Sequence, residues 1–263
     1  MKSRLIISFL LIILSGFQSG EPELLNGLPF PTATYMTTDP LGNCYVVADN
    51  QLLKFSPSGK PLQNYAEVRN GELRQVDASN PMKVVLFYPD MARIVVLGTQ
   101  FAPQSTIELR NLGIFQPTLV CNSINGGFWI YDLQDFQLKK IDLNLQLVFQ
   151  SGNLLQLTGR KVVPNFITEY NQQVFLNDPE AGILMFDQFG GYYKTLPGQH
   201  MINFQGWKDK LICNDGKKLT TFDLKRFEGT EVALPGHGKI KAARLSDTQL
   251  YLLTNDSLNI YSF

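Results

Sequence analysis

The sequence is poor in the residues on which many catalytic sites depend. Its 263 residues include two histidines, His200 and His237, and three cysteines. A hydrolytic triad most often uses histidine as its base, and a structural zinc site normally takes four nitrogen, sulfur or oxygen ligands. The sequence also lacks a phosphate-binding loop, an HExxH motif and a nucleophile elbow. We therefore interpret both histidines as loop residues, favour a binding protein over an enzyme and expect no cofactor.

Neither sign of charge predominates in the composition. The chain contains 23 lysine and arginine residues and 23 aspartate and glutamate residues, with no long run of either sign. Binding to nucleic acid depends on a concentrated basic face. Nucleic acid is therefore not an expected partner.

The one long apolar run lies at the beginning of the chain. Leu5–Leu14 follows Lys2 and Arg4 and precedes a group of small residues, namely Ser15, Gly16, Ser19 and Gly20. The run is shorter than the roughly 20 residues that span a bilayer. This pattern predicts a secretory signal peptide over residues 1–20. We expect the remaining chain, residues 21–263, to be exported and to be periplasmic, associated with the outer membrane or secreted, with no transmembrane segment.

Long helical patterns are scarce, and short apolar runs bounded by Gly, Pro, Asn and Asp recur instead. Between the equivalent residues of six such runs, the steps along the chain are 40, 43, 46, 37 and 39 residues. The runs are Cys44–Val47, Val84–Tyr88, Phe128–Tyr131, Val174–Leu176, Leu211–Cys213 and Leu250–Leu253. Each run is the second strand of a unit that contains a first strand, a third strand and, in most units, a fourth. The predicted fourth strands are Pro61–Val68, Leu145–Gln150, Tyr192–Leu196 and Glu231–Leu234.

Four-stranded units that repeat about every 40 residues are typical of β-propeller blades. We therefore predict an all-β fold, a single six-bladed β-propeller domain over residues 21–263. The last unit ends at Phe263, directly after its third strand, whereas Glu23–Phe30 precedes the first unit. This N-terminal segment is predicted to supply the outer strand of the sixth blade and so to close the ring. A seven-bladed ring and a pair of β-sandwiches are the alternatives, because the 46-residue step could contain an insertion.

The first repeat resembles NHL-type repeats. Asp39-Pro-Leu-Gly-Asn leads into its second strand and is followed by Leu53-Lys-Phe55 and Gly59. The complete motif occurs in this repeat only, and the other repeats share the strand plan. The resemblance implies a six-bladed propeller that acts as an interaction platform, and a minority of such propellers are lactonases or related hydrolases.

Cys44, Cys121 and Cys213 fall in predicted blades one, three and five, which are never adjacent in a six-bladed ring. A disulfide needs Cα atoms within about 7 Å. We therefore expect three free cysteines that act as small buried hydrophobic residues.

An aspartate recurs in the turn after each second strand. These turns share one face of a propeller, so the six carboxylates are a candidate binding ring for a basic partner or a hard cation. Aspartate is equally favoured in tight turns for local reasons, because its side chain accepts hydrogen bonds from nearby backbone amides. The six residues are Asp49, Asp90, Asp132, Asp178, Asp215 and Asp256.

The first strands of blades one to four also end in polar residues, which are Asp39, Asp77, Asn122 and Glu169. They offer ligands suited to a metal-assisted hydrolase, although blades five and six have Gly206 and Ser246 at the same place. The favoured function is an exported, non-catalytic propeller that binds or scaffolds another envelope or secreted protein through a loop face. The alternative is a lactonase-like hydrolase or a binder of small ligands at the channel mouth.

Overall fold

In a computed structural model, the chain is a β-propeller of six four-stranded antiparallel sheets. The structure describes residues 22–225, 229–232, 234–235 and 239–262. The predicted signal peptide lies outside these residues. Within them, no helix is long and apolar enough to cross a membrane.

We number the strands in chain order, beginning with β1 (Glu23–Pro29). The strands of blades one and two are β2 (Ala33–Thr38), β3 (Cys44–Ala48), β4 (Gln51–Phe55), β5 (Pro61–Tyr65), β6 (Gln75–Asp77), β7 (Val84–Tyr88), β8 (Arg93–Leu97) and β9 (Pro103–Glu108). Blades three and four contain β10 (Pro117–Asn122), β11 (Phe128–Asp132), β12 (Gln137–Ile141), β13 (Leu147–Gln150), β14 (Phe166–Tyr170), β15 (Gln173–Asp178), β16 (Gly182–Phe186) and β17 (Tyr192–Leu196). Blades five and six contain β18 (Asn203–Trp207), β19 (Lys210–Asn214), β20 (Leu219–Asp223), β21 (Gly229–Val232), β22 (Ala242–Leu245), β23 (Gln249–Leu253) and β24 (Ser257–Ser262).

The ring is closed by the N-terminal strand, as predicted. β1 pairs with β24 in a sheet whose order is β1-β24-β23-β22. The pairing runs from Glu23 opposite Ser262 to Pro29 opposite Ser257. The outer strand of the last blade therefore comes from the opposite end of the described chain, and the six-bladed prediction is confirmed.

The hydrophobic core is distributed between the blades. Six clusters of buried apolar side chains each join two adjacent blades. Alternation along β3 produces this arrangement, because successive side chains of a strand point to opposite faces. Tyr45 and Val47 pack against blade two, whereas Cys44 and Val46 pack against blade six. Cys44, Cys121 and Cys213 are free and buried, as predicted.

The differences from the predicted strands occur mainly at the periphery. β5 ends at Tyr65, and Val68 belongs to a 3₁₀ helix that was predicted as strand. β13 begins at Leu147, two residues later than predicted, because Leu145 adopts a φ of 59° in the preceding turn. The 46-residue step does contain an insertion, the short helix α1 (Leu154–Thr158), which lies between β13 and β14.

Candidate functional site

Because neighbouring strands of each blade are antiparallel, the turns between them lie on two opposite faces of the propeller. Turns between first and second strands, and between third and fourth strands, lie on one face, which we call the upper face. Turns between second and third strands lie on the opposite, lower face. The central channel runs between the two faces and is lined by the first strands.

A cavity of about 1190 Å³ opens at the upper face, and we call it the cup. All six blades contribute residues to its wall. A second cavity of about 400 Å³ lies on the lower side of the channel. Tyr35, Gln75 and Phe166 line both cavities, so they form the floor that separates them. Burial raises the pKa of Tyr35 to about 12, so its hydroxyl stays protonated at neutral pH.

The motif that resembles an NHL repeat forms one part of the cup wall. Asp39 accepts hydrogen bonds from the amides of Leu41 and Asn43 (both 2.9 Å) and from the Tyr45 hydroxyl (2.8 Å). Gly42 adopts a φ of 80°, which glycine tolerates without strain. The carboxylate of Asp39 therefore holds its own loop, and the Tyr251 hydroxyl of blade six donates a further hydrogen bond to the carbonyl of Gly42 (2.6 Å).

The other polar residues at the ends of the first strands link neighbouring blades. Asp77 accepts a hydrogen bond from the backbone amide of Asn122 in blade three (2.8 Å). Glu169 accepts one from the indole Nε1 of Trp129 (2.7 Å) and another from the amide of Ile124 (3.1 Å). The structure thus brings all four predicted residues to the cup, where each side chain has at least one structural partner, although Oε1 of Glu169 is buried without one among the described residues. Among the described residues, no group of three or more His, Cys, Asp or Glu side chains is arranged to hold a metal ion.

Blade five has Gly206, which lacks a side chain, where blades one to four have a polar residue, and the reason is steric. A Cβ atom on Gly206 would lie 2.1 Å from the Cγ atom of Tyr170, so the aromatic ring occupies the space of a side chain there. The Tyr170 hydroxyl donates a hydrogen bond to the carbonyl of Lys208 (2.7 Å). A side chain from blade four therefore covers the wall of blade five.

Arg244, on β22, is a buried cup residue that sequence reasoning missed, and its guanidinium takes part in no ion pair among the described residues. Its side chain lines the cup, yet the residue is only 5% exposed. Among the described residues its guanidinium forms one hydrogen bond, from Nη1 to the carbonyl of Ala243 (2.9 Å), and the guanidinium carbon lies 5.8 Å from the centre of the Phe166 ring. Burial lowers the pKa of Arg244, whereas Tyr35, Cys44 and Asp77 act in the opposite direction.

The six turn aspartates lie on the lower face in unequal environments. Asp132 and Asp178 are buried, and Asp178 accepts hydrogen bonds from the amides of Val163, Glu180 and Ala181. Asp49 accepts a hydrogen bond from the Thr32 hydroxyl (3.0 Å), and Asp215 accepts two from the following turn. Asp90 lines the lower cavity, and Asp256 is exposed. A binding role for these carboxylates stays a prediction.

The two histidines do not contribute to the described wall of the cup. His200 is exposed beyond β17 with a φ of 65°, and its amide donates a hydrogen bond to the carbonyl of Pro179 (2.6 Å). This contact places it near the lower face. His237 lies outside the described residues.

The upper face also carries exposed apolar residues at the tips of its turns, and we call this set the apolar rim. Its members are 68 to 70% exposed and come from consecutive blades one to four. Ile124 and Leu143 line the mouth of the cup directly. The apolar rim consists of Leu41, Met82, Ile124, Leu143 and Phe189.

Comparison with known proteins identifies the fold. No family model and no curated protein matches the chain. A virginiamycin B lyase from Staphylococcus aureus superposes with a TM-score of 0.65 at 14% identity, over 92% of this chain and 100% of the lyase chain. The WD40 domain of Pan2 from Neurospora crassa superposes with a TM-score of 0.61 at 10% identity, over 92% of this chain and 95% of that domain.

A further structure is a catalytically inactive histidine-to-alanine variant of the Staphylococcus aureus lyase with quinupristin. It superposes with a TM-score of 0.61 at 11% identity, over 88% of this chain and 80% of the variant chain. At these identities the similarity shows a propeller fold and no more.

Proposed function

We propose that this propeller is an exported, non-catalytic binding module whose upper face receives a segment of another protein of the cell envelope. The observation that carries the proposal is the apolar rim beside the open cup. Five large apolar side chains, each at least 68% exposed, occur on turns of one face. Exposed apolar groups beside a polar cavity are characteristic of interaction sites, and Ile124 and Leu143 line the cup itself.

The shape of the face favours a segment of a protein as the occupant. The apolar rim offers contacts over four blades, and the cup beside it holds about 1190 Å³, which exceeds the size of common small-molecule sites. A protein segment can place apolar side chains on the rim and a polar group in the cup at once. Short turns on rigid blades keep both parts of this surface in a fixed arrangement.

A hydrolase or lyase is the competing function. The lyase variant with alanine in place of a histidine is inactive, whereas none of the described residues that line the cup is a histidine. The carboxylates of Asp39, Asp77 and Glu169 are hydrogen-bonded to backbone amides and to aromatic side chains. These contacts favour a structural use of the carboxylates and thereby support the binding module.

Site-specific photo-crosslinking in the native host tests the proposal. A benzoylphenylalanine residue is placed at Ile124 or Leu143 on the upper face, and at Asp49 or Asp256 as matched exposed positions on the lower face. We expect the two upper positions to give the same discrete protein adduct in the envelope fraction. We expect the two lower positions not to give it.

The adduct should also be lost when the other rim position carries aspartate, because a charge there would have to be desolvated on binding. Adducts from the lower face alone, or none from any position, would refute the proposed face. Turnover of lactones or esters by the purified chain would support the hydrolase instead.

A further inference from the structure

The cup holds a buried cationic group, Arg244, that forms no ion pair among the described residues. A guanidinium has five N–H donors, and within the described part of the chain Arg244 donates one hydrogen bond, to a backbone carbonyl. Arg244 takes part in none of the ion pairs found among the described residues. A buried charge without an ionic partner disfavours folding, and the contact with the ring of Phe166 offsets only part of that cost.

The nearby acidic groups are engaged elsewhere. Asp77, which lines the same cup, accepts hydrogen bonds from the amides of Ser79 and Asn122 (both 2.8 Å). Glu169 accepts hydrogen bonds from Trp129 and Ile124 in blade three through Oε2, whereas its buried Oε1 has no hydrogen-bond partner among the described residues. The donors of Arg244 are therefore available to an acceptor that enters from the upper face.

We propose that Arg244 binds a carboxylate on the partner segment that enters the cup, either an acidic side chain or a chain terminus. This inference rests on the proposed function and names the chemistry of its ligand. The planar guanidinium matches a carboxylate in a two-bond geometry.

The charge of the cup favours a singly charged carboxylate over a phosphate. The ionic side chains that line it are the carboxylates of Asp39, Asp77 and Glu169 and the cations of Lys83 and Arg244. A dianion would be repelled by this excess of negative charge more strongly than a monoanion. The floor also contains Tyr35 and Phe166, which suit an apolar or aromatic group attached to the carboxylate.

Calorimetric titration with two small molecules tests the proposal. The purified chain is titrated calorimetrically with N-acetyl-L-phenylalanine and with N-acetyl-L-phenylalanine amide, which differ in the carboxylate. The acid is expected to bind at least about tenfold more tightly than the amide, which corresponds to the free energy of one good charged contact. Inorganic phosphate is expected to bind more weakly than the acid. Tighter binding of phosphate would overturn the preference for a carboxylate.

Two variants test whether Arg244 is the residue that binds the carboxylate. Arg244→Gln should abolish the preference for the acid. Arg74→Gln should keep it, because Arg74 is exposed, lies at the lower cavity and pairs with Glu72. The Tm of Arg244→Gln should equal or exceed that of the unmodified chain, because a buried charge has been removed. A lower Tm together with loss of the preference would assign Arg244 a structural role.

The two proposals can fail separately. Equal binding of acid and amide, or binding of neither, overturns the carboxylate site even where crosslinking from Ile124 succeeds. A preference for the acid without any adduct from the upper face leaves the carboxylate site intact and overturns the protein partner.

Discussion

At the scale of single residues, burial separates aspartates that the sequence presents as equivalent. Asp132 is fully buried, and its carboxylate accepts a hydrogen bond from Lys139 Nζ (2.8 Å), which is itself 3% exposed. Burial lowers the pKa of Lys139, but hydrogen bonds to Asp132 and Asp135 outweigh this effect and raise it. This pair is a structural element within blade three.

Lys139→Met should destabilise the protein strongly, since it leaves the carboxylate of Asp132 buried without its counter-charge. We expect the free energy of unfolding in urea at pH 7 to fall by about 3 kcal/mol. The double variant Asp132→Asn with Lys139→Met should recover part of this loss. Lys60→Met, at an exposed position, should change the value by less than about 0.5 kcal/mol. If the free energy of unfolding falls no further for Lys139→Met than for Lys60→Met, Asp132 and Lys139 do not form a stabilising buried pair.

The repeat spacing predicts that each of these aspartates occupies a turn, but it does not predict which partners they meet. Lys139 follows Asp132 on the next strand, whereas Asp49 meets the hydroxyl of Thr32 from a connecting loop. Arg244 escaped prediction for a related reason. From the sequence, a charged residue in a short strand is expected to face bulk solvent. The closed ring shows that a polar side chain of a first strand faces the central channel instead.

At the scale of elements, the sequence predicts inner strands better than outer ones. Every residue of β3 and β7 is buried, so an apolar run defines both strands. β5 and β13 are mostly exposed or half-buried, and their boundaries lack such a signal. β1 is equally exposed, but a missing fourth strand in the last repeat indicated where it pairs.

Removal of residues 22–30 should expose the edge of β24 and lower the Tm by at least about 5 °C, given that 1 kcal/mol shifts the Tm of a domain of this size by about 2–4 °C. Backbone pairing along β24 and packing of Leu28 and Phe30 in the cluster between blades six and one would be lost. A synthetic peptide of residues 22–30 should restore the Tm by strand addition, and a scrambled peptide should not. An unchanged Tm after truncation would show that ring closure contributes little.

At the scale of the whole molecule, six shared clusters leave no blade with a core of its own. The cluster between blades six and one includes Met36 from β2 and Leu258 from β24, so the interface at the closure resembles the other five. Strands that are close in the sequence build blades one to five, whereas blade six and its interface with blade one bring together the two ends of the described chain. The cup exists only in the complete ring, because all six blades contribute to its wall. Its shape was therefore beyond prediction from any single repeat.

The closed ring should unfold as one cooperative unit, because opening one blade exposes apolar faces on both of its neighbours. In Trp207→Phe, the remaining Trp129 is a fluorescence probe of blade three, where it is buried against Phe149. Its urea midpoint should coincide with that of the far-ultraviolet circular dichroism, which reports all six blades. In the chain that lacks residues 22–30, we expect the dichroism to change at lower urea than the fluorescence, because blade six and its neighbours have lost their closure. Separate midpoints in the intact ring would instead indicate that blades unfold independently, and they would contradict a single cooperative unit.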